Sequence, residues 1–180
     1  HSTLEIFKQL GVTAKFIDEK TLKITSTGCL KAPLAPLDCG NSGTTMRLIS
    51  GILAGQNFNT QLIGDNSLSK RPMKRVIEPL ELMGAKINSV NGHAPLNITG
   101  TNLHSIDYTS KLASAQVKSC ILLAGLNADG TTSVTEPYVS RNHSELMLKY
   151  MGANIHVNGK TVNIQKSQLV SKTIDICGDI

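Results

Sequence analysis

A turn that contains two glycines and leads into a helix is the strongest sign of a ligand site in this sequence. Residues 37–47 spell Leu-Asp-Cys-Gly-Asn-Ser-Gly-Thr-Thr-Met-Arg, which predicts a strand, a tight turn and the start of a helix. The free amides and the dipole of a helix N-terminus favour an anion, and Gly43 would let a ligand touch the backbone. No Gly-Lys-Ser/Thr follows, so the turn is not a nucleotide-binding P-loop. A capped helix with glycines in its turn has the same pattern, and the residues alone leave both interpretations open.

Two arginines are predicted to stand where helices begin. Arg71 precedes Pro72, and Arg141 has a similar place in a later segment. The helix dipole disfavours a cation at this end, so a bound anion would explain both residues. A guanidinium also holds a carboxylate or phosphate through two hydrogen bonds. The alternative is a solvated basic turn, because other basic residues follow Arg71 closely.

A third candidate segment, residues 112–119, begins a helix with small side chains. Ser114 is a good N-cap, and Gln116 would project from the first turn toward the same opening as Gly43. Serine caps many helices that bind nothing, so that alternative also stays open. His143 is predicted to be a surface or capping residue, because no second histidine or carboxylate has metal-ligand spacing from it.

The carboxylates and cysteines give little sign of catalysis. Asp38, Asp65, Asp107 and Glu136 fall near predicted strand ends without a catalytic pairing, and no Ser-His-Asp elbow is present. The four cysteines are scattered and contain no C-x-x-C pair, which argues against a structural zinc site. We therefore expect a binding segment that lacks its own proton-transfer groups.

The segments that would position these residues repeat along the chain. Gly11, Gly84 and Gly152 each follow a predicted amphipathic helix and precede a predicted hairpin of two short strands. A strand, an apolar helix and a second strand come before the helix in the last two copies. The full unit is therefore β-α-β-α-β-β, and the fold class is α/β (α+β). We expect subdomains at about 1–30 (partial), 31–101 and 102–168.

The repeat count predicts a fragment of a longer protein. The first copy starts at its second helix, near Ser2, whereas the other two copies are complete. Residues 173–176 (Thr-Ile-Asp-Ile) predict a strand, and residues 178–180 stop as if a new element were starting. The alternative is a natural protein with a degenerate first repeat.

Length and composition exclude several functional classes. The chain has 180 residues and 19.3 kDa, with 40% hydrophobic and 17% charged residues, which is typical of neither a disordered tail nor a membrane protein. The longest apolar stretch, 121–126, is too short to span a bilayer. Aromatic residues are only 3% and the net charge of +5 is dispersed, so nucleic-acid binding is not expected. The positive balance does suit small anionic ligands.

The motifs resemble those of one family, the 5-enolpyruvylshikimate-3-phosphate (EPSP) synthases. The resemblance covers essentially the whole chain and rests on four segments in order: residues 40–47, 64–73, 113–119 and 140–143. It implies a two-domain enzyme in which each domain holds three copies of the repeat. This chain would then be an EPSP-synthase-like domain with a truncated first subdomain, and residues 169–180 would start the crossover to the other domain.

The resemblance implies a transferase of the shikimate pathway, which serves chorismate and aromatic amino acid biosynthesis. The enzyme, a 3-phosphoshikimate 1-carboxyvinyltransferase, moves the enolpyruvyl group of phosphoenolpyruvate to the 5-hydroxyl of shikimate 3-phosphate and releases phosphate, without metal or organic cofactor. The residues that resemble phosphoenolpyruvate contacts are Gly43, Arg71 and Gln116. Those that resemble shikimate 3-phosphate contacts are Ser114, Ala115, Gln116 and Arg141. Those that resemble loop-shaping residues are Asn41, Thr44 and Arg47.

Further expectations come from the same resemblance. Tolerant members of one bacterial class carry alanine where this chain has Gly43, so Gly43 is expected to leave room for glyphosate. The catalytic Asp and Glu of the family lie in the other domain, and the substrate-gripping Lys-Ser and Arg of its first strand have no match here. No residue of this chain is therefore expected to be catalytic, and the chain alone is expected to be inactive. A cytoplasmic monomer that contacts the second domain of the same enzyme is expected.

Two other interpretations compete with this one. The related enolpyruvyl transferase that acts on UDP-N-acetylglucosamine uses a loop cysteine, whereas Cys120 is predicted inside an apolar helix and Cys39 precedes the glycine turn. A noncatalytic anion-binding domain of the same superfamily, or a domain cut for folding studies, would have the same repeats.

Overall fold

The computed structural model describes residues 2–176. Its first elements are a helix and a hairpin, namely α1 (Ser2–Gln9), β1 (Thr13–Phe16) and β2 (Leu22–Thr25). The two strands of the hairpin are antiparallel. Ile6 and Leu10 are fully buried, so the helix and the residue that follows it anchor this segment on the rest of the chain.

Two longer segments follow with a shared order of elements. The first contains β3 (Leu37–Asp38), α2 (Gly43–Ala54), β4 (Asn59–Ile63), α3 (Lys74–Leu82), β5 (Lys86–Val90) and β6 (His93–Thr99). The second contains β7 (Asp107–Thr109), α4 (Ala115–Gly125), β8 (Thr131–Thr135), α5 (His143–Tyr150), β9 (Ile155–Asn158) and β10 (Thr161–Gln165).

Each of these segments forms a four-stranded sheet with the same topology, in the orders β3-β4-β6-β5 and β7-β8-β10-β9. In both sheets the first pair of strands is parallel and the other pairs are antiparallel. The predicted α/β fold of repeated β-α-β-α-β-β units is therefore confirmed.

The three glycines that mark the repeat have the backbone conformation expected of them. Gly11, Gly84 and Gly152 have φ angles of 91°, 96° and 90°, in the region that side chains with a Cβ avoid. Each lies just beyond the end of its helix, where a left-handed residue reverses the chain toward the hairpin.

Helices α2 and α4 pack against each other in the interior. Most of their residues are buried, and both carry an apolar sequence on nearly every side. A Cβ atom built on Gly51 would lie 2.1 Å from the backbone oxygen of Cys120, so the two backbones touch where a side chain has no room. This close approach brings the N-termini of the two helices together.

Two expectations about local structure are wrong. Arg71 does not stand at the start of a helix, because a 3-10 turn (Leu68–Lys70) precedes it and α3 begins only at Lys74. Residues 173–176 are not a strand: they have no backbone hydrogen bond to any of the described residues, and Ile176 is 88% exposed. Alternating apolar residues favour an extended chain, but a strand also needs a neighbouring backbone to pair with. Residues 178–180, expected to begin a new element, lie outside the described range.

No helix within residues 2–176 has both the length and the apolar character needed to cross a membrane.

Candidate functional site

The N-termini of α2 and α4 lie side by side and form the centre of the candidate site. Gln116 Nε2 donates a hydrogen bond to Thr44 Oγ1 at 2.8 Å, which joins the first turns of the two helices. Ser42 caps α2 and Ser114 caps α4, each by accepting a hydrogen bond from a first-turn amide. Neither first turn carries an acidic residue, so the positive ends of both helix dipoles face the same space.

The glycine turn and the arginines are connected to this centre by hydrogen bonds. Arg47 Nη1 donates to Gln116 Oε1 at 2.8 Å, across two different repeats. Arg71 Nη2 donates to Asn41 Oδ1 at 2.6 Å, and Asn41 Nδ2 donates to Asp65 Oδ2 at 2.7 Å. The structure therefore groups these residues into two hydrogen-bonded sets, Arg47–Gln116–Thr44 and Arg71–Asn41–Asp65, which approach each other beside Gly43.

Gly43 lies beside the guanidinium groups of Arg47 and Arg71. A Cβ atom built on Gly43 would lie 2.9 Å from Arg47 Nη1 and 3.3 Å from Arg71 Nη1. Both groups thus approach one point next to the backbone at the start of α2. This arrangement suits an anion that is held by two arginines and by the helix amides together.

The arginines of the site form no direct ion pair within the described part of the chain, although the Asp65 carboxylate is joined to Arg71 through Asn41. None of Arg47, Arg71 and Arg141 forms an ion pair among residues 2–176. Burial lowers the pKa of Arg47, and the positive charges of Arg71 and Arg75 lower it further. Like charges held this close are offset when an anion binds between them. An anionic ligand would therefore offset the repulsion among these positive charges.

A cleft of about 230 Å³ opens on the other side of Gln116. It is lined by Thr44, Leu48, Ala115, Gln116, Ser119, Arg141, His143 and Ser144. Asn41, Gly43, Arg47 and Arg71 do not line this cleft, so the candidate site has two parts that share Gln116. Ala115, Gln116 and Arg141, expected to contact shikimate 3-phosphate, line the cleft, whereas Ser114 does not. A larger cavity, of about 400 Å³, opens between α5 and β9 and holds none of the predicted site residues.

Several residues of the site were not predicted from the sequence. Leu48, Ser119 and Ser144 line the cleft, and Ser119 Oγ and Ser144 Oγ are 2.6 Å apart in a hydrogen bond that ties α4 to α5. His143, predicted to be a surface or capping residue, is exposed at the first position of α5 and also lines the cleft. Helical spacing from Gln116 could have indicated Ser119, whereas only the packing of α5 against α4 brings in Ser144.

Two of the three cysteines in the described range, Cys39 and Cys120, are buried and are not placed for catalysis, whereas Cys29 is exposed. Burial raises the pKa of the Cys39 thiol to about 12, with a further contribution from the Asp38 charge, and burial also raises the pKa of Cys120 to about 12. Both thiols are fully buried and stay protonated near neutral pH. No group of three or more His, Cys, Asp or Glu side chains within residues 2–176 is arranged to hold a metal ion.

Comparisons with known proteins identify the family of the chain. The family model of EPSP synthase (3-phosphoshikimate 1-carboxyvinyltransferase) matches residues 1–180. The 3-phosphoshikimate 1-carboxyvinyltransferase of Methylococcus capsulatus is 51% identical over 184 residues, and that of Acidithiobacillus ferrooxidans is 48% identical over 182 residues. Each match covers 99% of this chain and 42% of the relative, so the chain spans less than half the length of these proteins.

A solved structure gives the same result for the fold. The EPSP synthase of Acinetobacter baumannii superposes with a TM-score of 0.91 at 45% sequence identity, over 94% of this chain and 39% of that one. The family model, the curated relatives and the three-dimensional likeness agree along nearly the whole chain. The chain therefore belongs to the EPSP synthase family.

Proposed function

We propose that this chain is one domain of a 3-phosphoshikimate 1-carboxyvinyltransferase and that it contributes part of the substrate site of that enzyme. The observation that carries the proposal is the convergence of two helix N-termini and three unpaired arginines (Arg47, Arg71 and Arg141) on two spaces that share Gln116. Enolpyruvyl transfer uses two phosphorylated substrates and releases phosphate, so the enzyme must hold several anionic groups at once. Two adjacent anion-binding spaces meet that requirement.

Phosphoenolpyruvate takes the space between Gly43, Arg47 and Arg71 in this proposal. Two guanidinium groups beside the Gly43 backbone suit a small ligand that carries both a carboxylate and a phosphate. As phosphate leaves during transfer, the same guanidinium groups would stabilise the charge that develops on it. Glyphosate, an anion of similar size, would enter the same space beside Gly43.

Shikimate 3-phosphate takes the cleft lined by Ala115, Gln116 and Arg141, with Ser114 at its edge. Arg141 supplies a positive charge, and the Ser114 hydroxyl caps α4 as an acceptor while its proton stays free for a ligand oxygen. Gln116 contacts both spaces and would hold the two substrates in register. No metal or organic cofactor takes part in this proposal.

The proton-transfer groups are proposed to lie outside this chain. Near the cleft, the Glu136 carboxylate is bound to the Lys118 ammonium at 2.9 Å and is buried, so it cannot act as a base toward a ligand. The isolated chain would then bind but not complete the reaction. Cys39 and Cys120 are buried, so neither supports the alternative function, the transfer of enolpyruvyl to UDP-N-acetylglucosamine by an enzyme that uses a loop cysteine.

We further propose subdomains at about 1–30, 31–101 and 102–168, because each of the last two ranges contains one complete four-stranded sheet. The chain would act as part of a cytoplasmic monomer whose second domain closes the site. The free thiols of Cys29, Cys39 and Cys120 support a reducing compartment.

A titration of the isotope-labelled chain with shikimate 3-phosphate tests the proposal. We expect the backbone amide signals of Ser114 and Gln116 to shift at millimolar ligand, and the variant Arg141→Gln to weaken binding about tenfold, since it loses a charged hydrogen bond to phosphate. Lys86→Gln, which removes one exposed charge from β5, is the matched control and should bind like the wild type. Absence of any shift, or equal weakening in both variants, would contradict the assignment.

The variant Gly43→Ala tests the phosphoenolpyruvate space. The new methyl group would press on the ends of the Arg47 and Arg71 side chains, which can move, so the fold should tolerate it. We expect phosphoenolpyruvate binding, measured by calorimetry, to weaken about tenfold or more, while the melting temperature stays the same or rises, because alanine favours helix over glycine. Unchanged phosphoenolpyruvate affinity would place the ligand elsewhere.

A further inference from the structure

A buried cluster of three charged side chains lines the larger cavity between α5 and β9. Lys118 of α4 places its Nζ 2.9 Å from Glu136 Oε2 and 2.7 Å from Glu145 Oε1. The three side chains are only 2%, 2% and 5% exposed. Removing charges from water is costly, and such a group persists only where its partners are well placed. None of the three is among the residues assigned to ligand contact above.

Glu136 connects this cluster to both sides of the shikimate 3-phosphate space. Its Oε1 accepts a hydrogen bond from the Ser114 amide at 2.8 Å. Its Oε2 accepts one from the Ser140 hydroxyl at 2.8 Å, next to Arg141 in the chain. One carboxylate following β8 therefore holds the residue that caps α4 and the residue that leads into α5.

We propose that Glu136 is a positioning residue that fixes Ser114 and the Ser140–Arg141 segment at the spacing that the phosphorylated substrate requires. This inference rests on the function proposed above, because the substrate is the one assigned there to Ser114 and Arg141. Glu136 does not touch the ligand itself. It acts through the backbone of Ser114 and through Ser140.

The charges of the cluster explain why Glu136 can do this. Burial by itself would raise the pKa of Glu136, but the hydrogen bonds from Lys118, Ser140 and Ser114 outweigh burial and lower it. The carboxylate therefore stays ionised and can only accept hydrogen bonds, which fixes the direction of both serine contacts. Lys118 holds this carboxylate in place through the same oxygen that binds Ser140.

Glu145 offers a matched control within the same cluster. It binds the same Lys118 ammonium, but its other carboxylate oxygen, Oε2, has no hydrogen-bond partner among the described residues, and no hydrogen bond links Glu145 to Ser114 or Ser140. The variants Glu136→Gln and Glu145→Gln each remove one negative charge from Lys118. Only the first disturbs the two serines.

The experiment compares these two variants without ligand and with two ligands. Without ligand, amide hydrogen exchange at Ser114 should become at least about tenfold faster in Glu136→Gln, with a shift of the Ser140 signal, and should change much less in Glu145→Gln. With ligand, Glu136→Gln should weaken shikimate 3-phosphate binding about tenfold and leave phosphoenolpyruvate binding within about twofold. A merely structural role would lower both affinities together.

Other outcomes separate this inference from the proposed function. Equal effects of the two variants on Ser114 exchange and on shikimate 3-phosphate binding would overturn the positioning role. If the wild-type chain does not bind shikimate 3-phosphate, the proposed function is wrong, and Glu136 has no such substrate to position. The hydrogen-exchange data at Ser114 still decide whether Glu136 fixes the two serines. If Glu136→Gln does not fold, Glu136→Asp replaces it in the experiment. Aspartate keeps the charge but is one methylene too short to reach both serines, so the same faster exchange at Ser114 and the same weaker shikimate 3-phosphate binding are expected.

Discussion

Replacing Lys118 with methionine is expected to lower the free energy of unfolding by about 3–5 kcal/mol, because it removes one partner from a buried ion cluster. Methionine has a similar length but no charge, so Glu136 and Glu145 would remain buried close to each other without their shared cation. Urea unfolding at pH 7, followed by circular dichroism, measures the loss.

The loss should shrink as the pH falls. In the wild type the pKa of Glu136 is lowered from its ordinary value of 4.5, so its stabilising contribution is fully present above about that pH and is lost as the pH falls through the folded pKa. In the variant the burial of Glu136, which raises its pKa, remains while the ammonium that lowers that pKa is absent, so Glu136 takes up a proton at a higher pH than in the wild type. The difference between wild type and variant should therefore be smaller at pH 5 than at pH 7.

An exposed ion pair provides the control for this prediction. Lys166 lies 3.0 Å from Asp129, and their side chains are 64% and 78% exposed. Lys166→Met should change the free energy of unfolding by less than about 0.5 kcal/mol at either pH. Equal losses for Lys118→Met and Lys166→Met would show that the buried cluster does not support the fold.

Replacing Gly51 with alanine is expected to lower the free energy of unfolding by about 2–3 kcal/mol. The added Cβ would lie 2.1 Å from the Cys120 backbone oxygen, which cannot turn aside as a side chain could, so α2 and α4 must separate. The favourable helix propensity of alanine offsets only about 1 kcal/mol of the strain. Thermal and urea unfolding of the two chains measure the difference.

Gly43→Ala is the matched control, because it adds the same methyl group to the same helix α2 where the two nearest atoms, at 2.9 and 3.3 Å, are the ends of arginine side chains and not backbone. It should not lower the melting temperature. The hydrogen bond between Gln116 and Thr44 depends on the same close approach of α2 and α4, so Gly51→Ala should also disturb the Gln116 amide signal. Equal melting temperatures for the two variants would mean that the interior can absorb a methyl group at Gly51.

The repeated architecture could be predicted because its signals are local. A helix often ends at a residue with left-handed backbone conformation, and Gly11, Gly84 and Gly152 mark three such helix ends in the sequence. The prediction of an anion site at residues 40–47 rests on an equally local signal, since a small-residue turn before a helix leaves amides free. Arg71 was misplaced at a helix start because a 3-10 turn and the start of an α-helix have similar composition.

The contacts that make the site one unit could not be predicted. Gln116 meets Thr44 and Arg47 across 72 and 69 positions of the chain, through hydrogen bonds that depend on how α2 and α4 pack. Glu136 looked like an isolated carboxylate at a strand end, since nothing in its neighbourhood along the chain indicates that Lys118 and Glu145 surround it. Pairings of this kind arise from tertiary packing and have no periodic pattern.

The division of the chain into repeats does not extend to its interior. One continuous hydrophobic cluster contains Ile6 of α1, Leu53 of α2 and Ile121 of α4, and a second cluster begins with Leu122, the next residue of α4. Helix α4 therefore belongs to both cores at once, and neither core is complete when that helix is removed. The repeats are separate in the sequence, but they share helix α4 in their cores. We therefore expect the repeats to fold and unfold together.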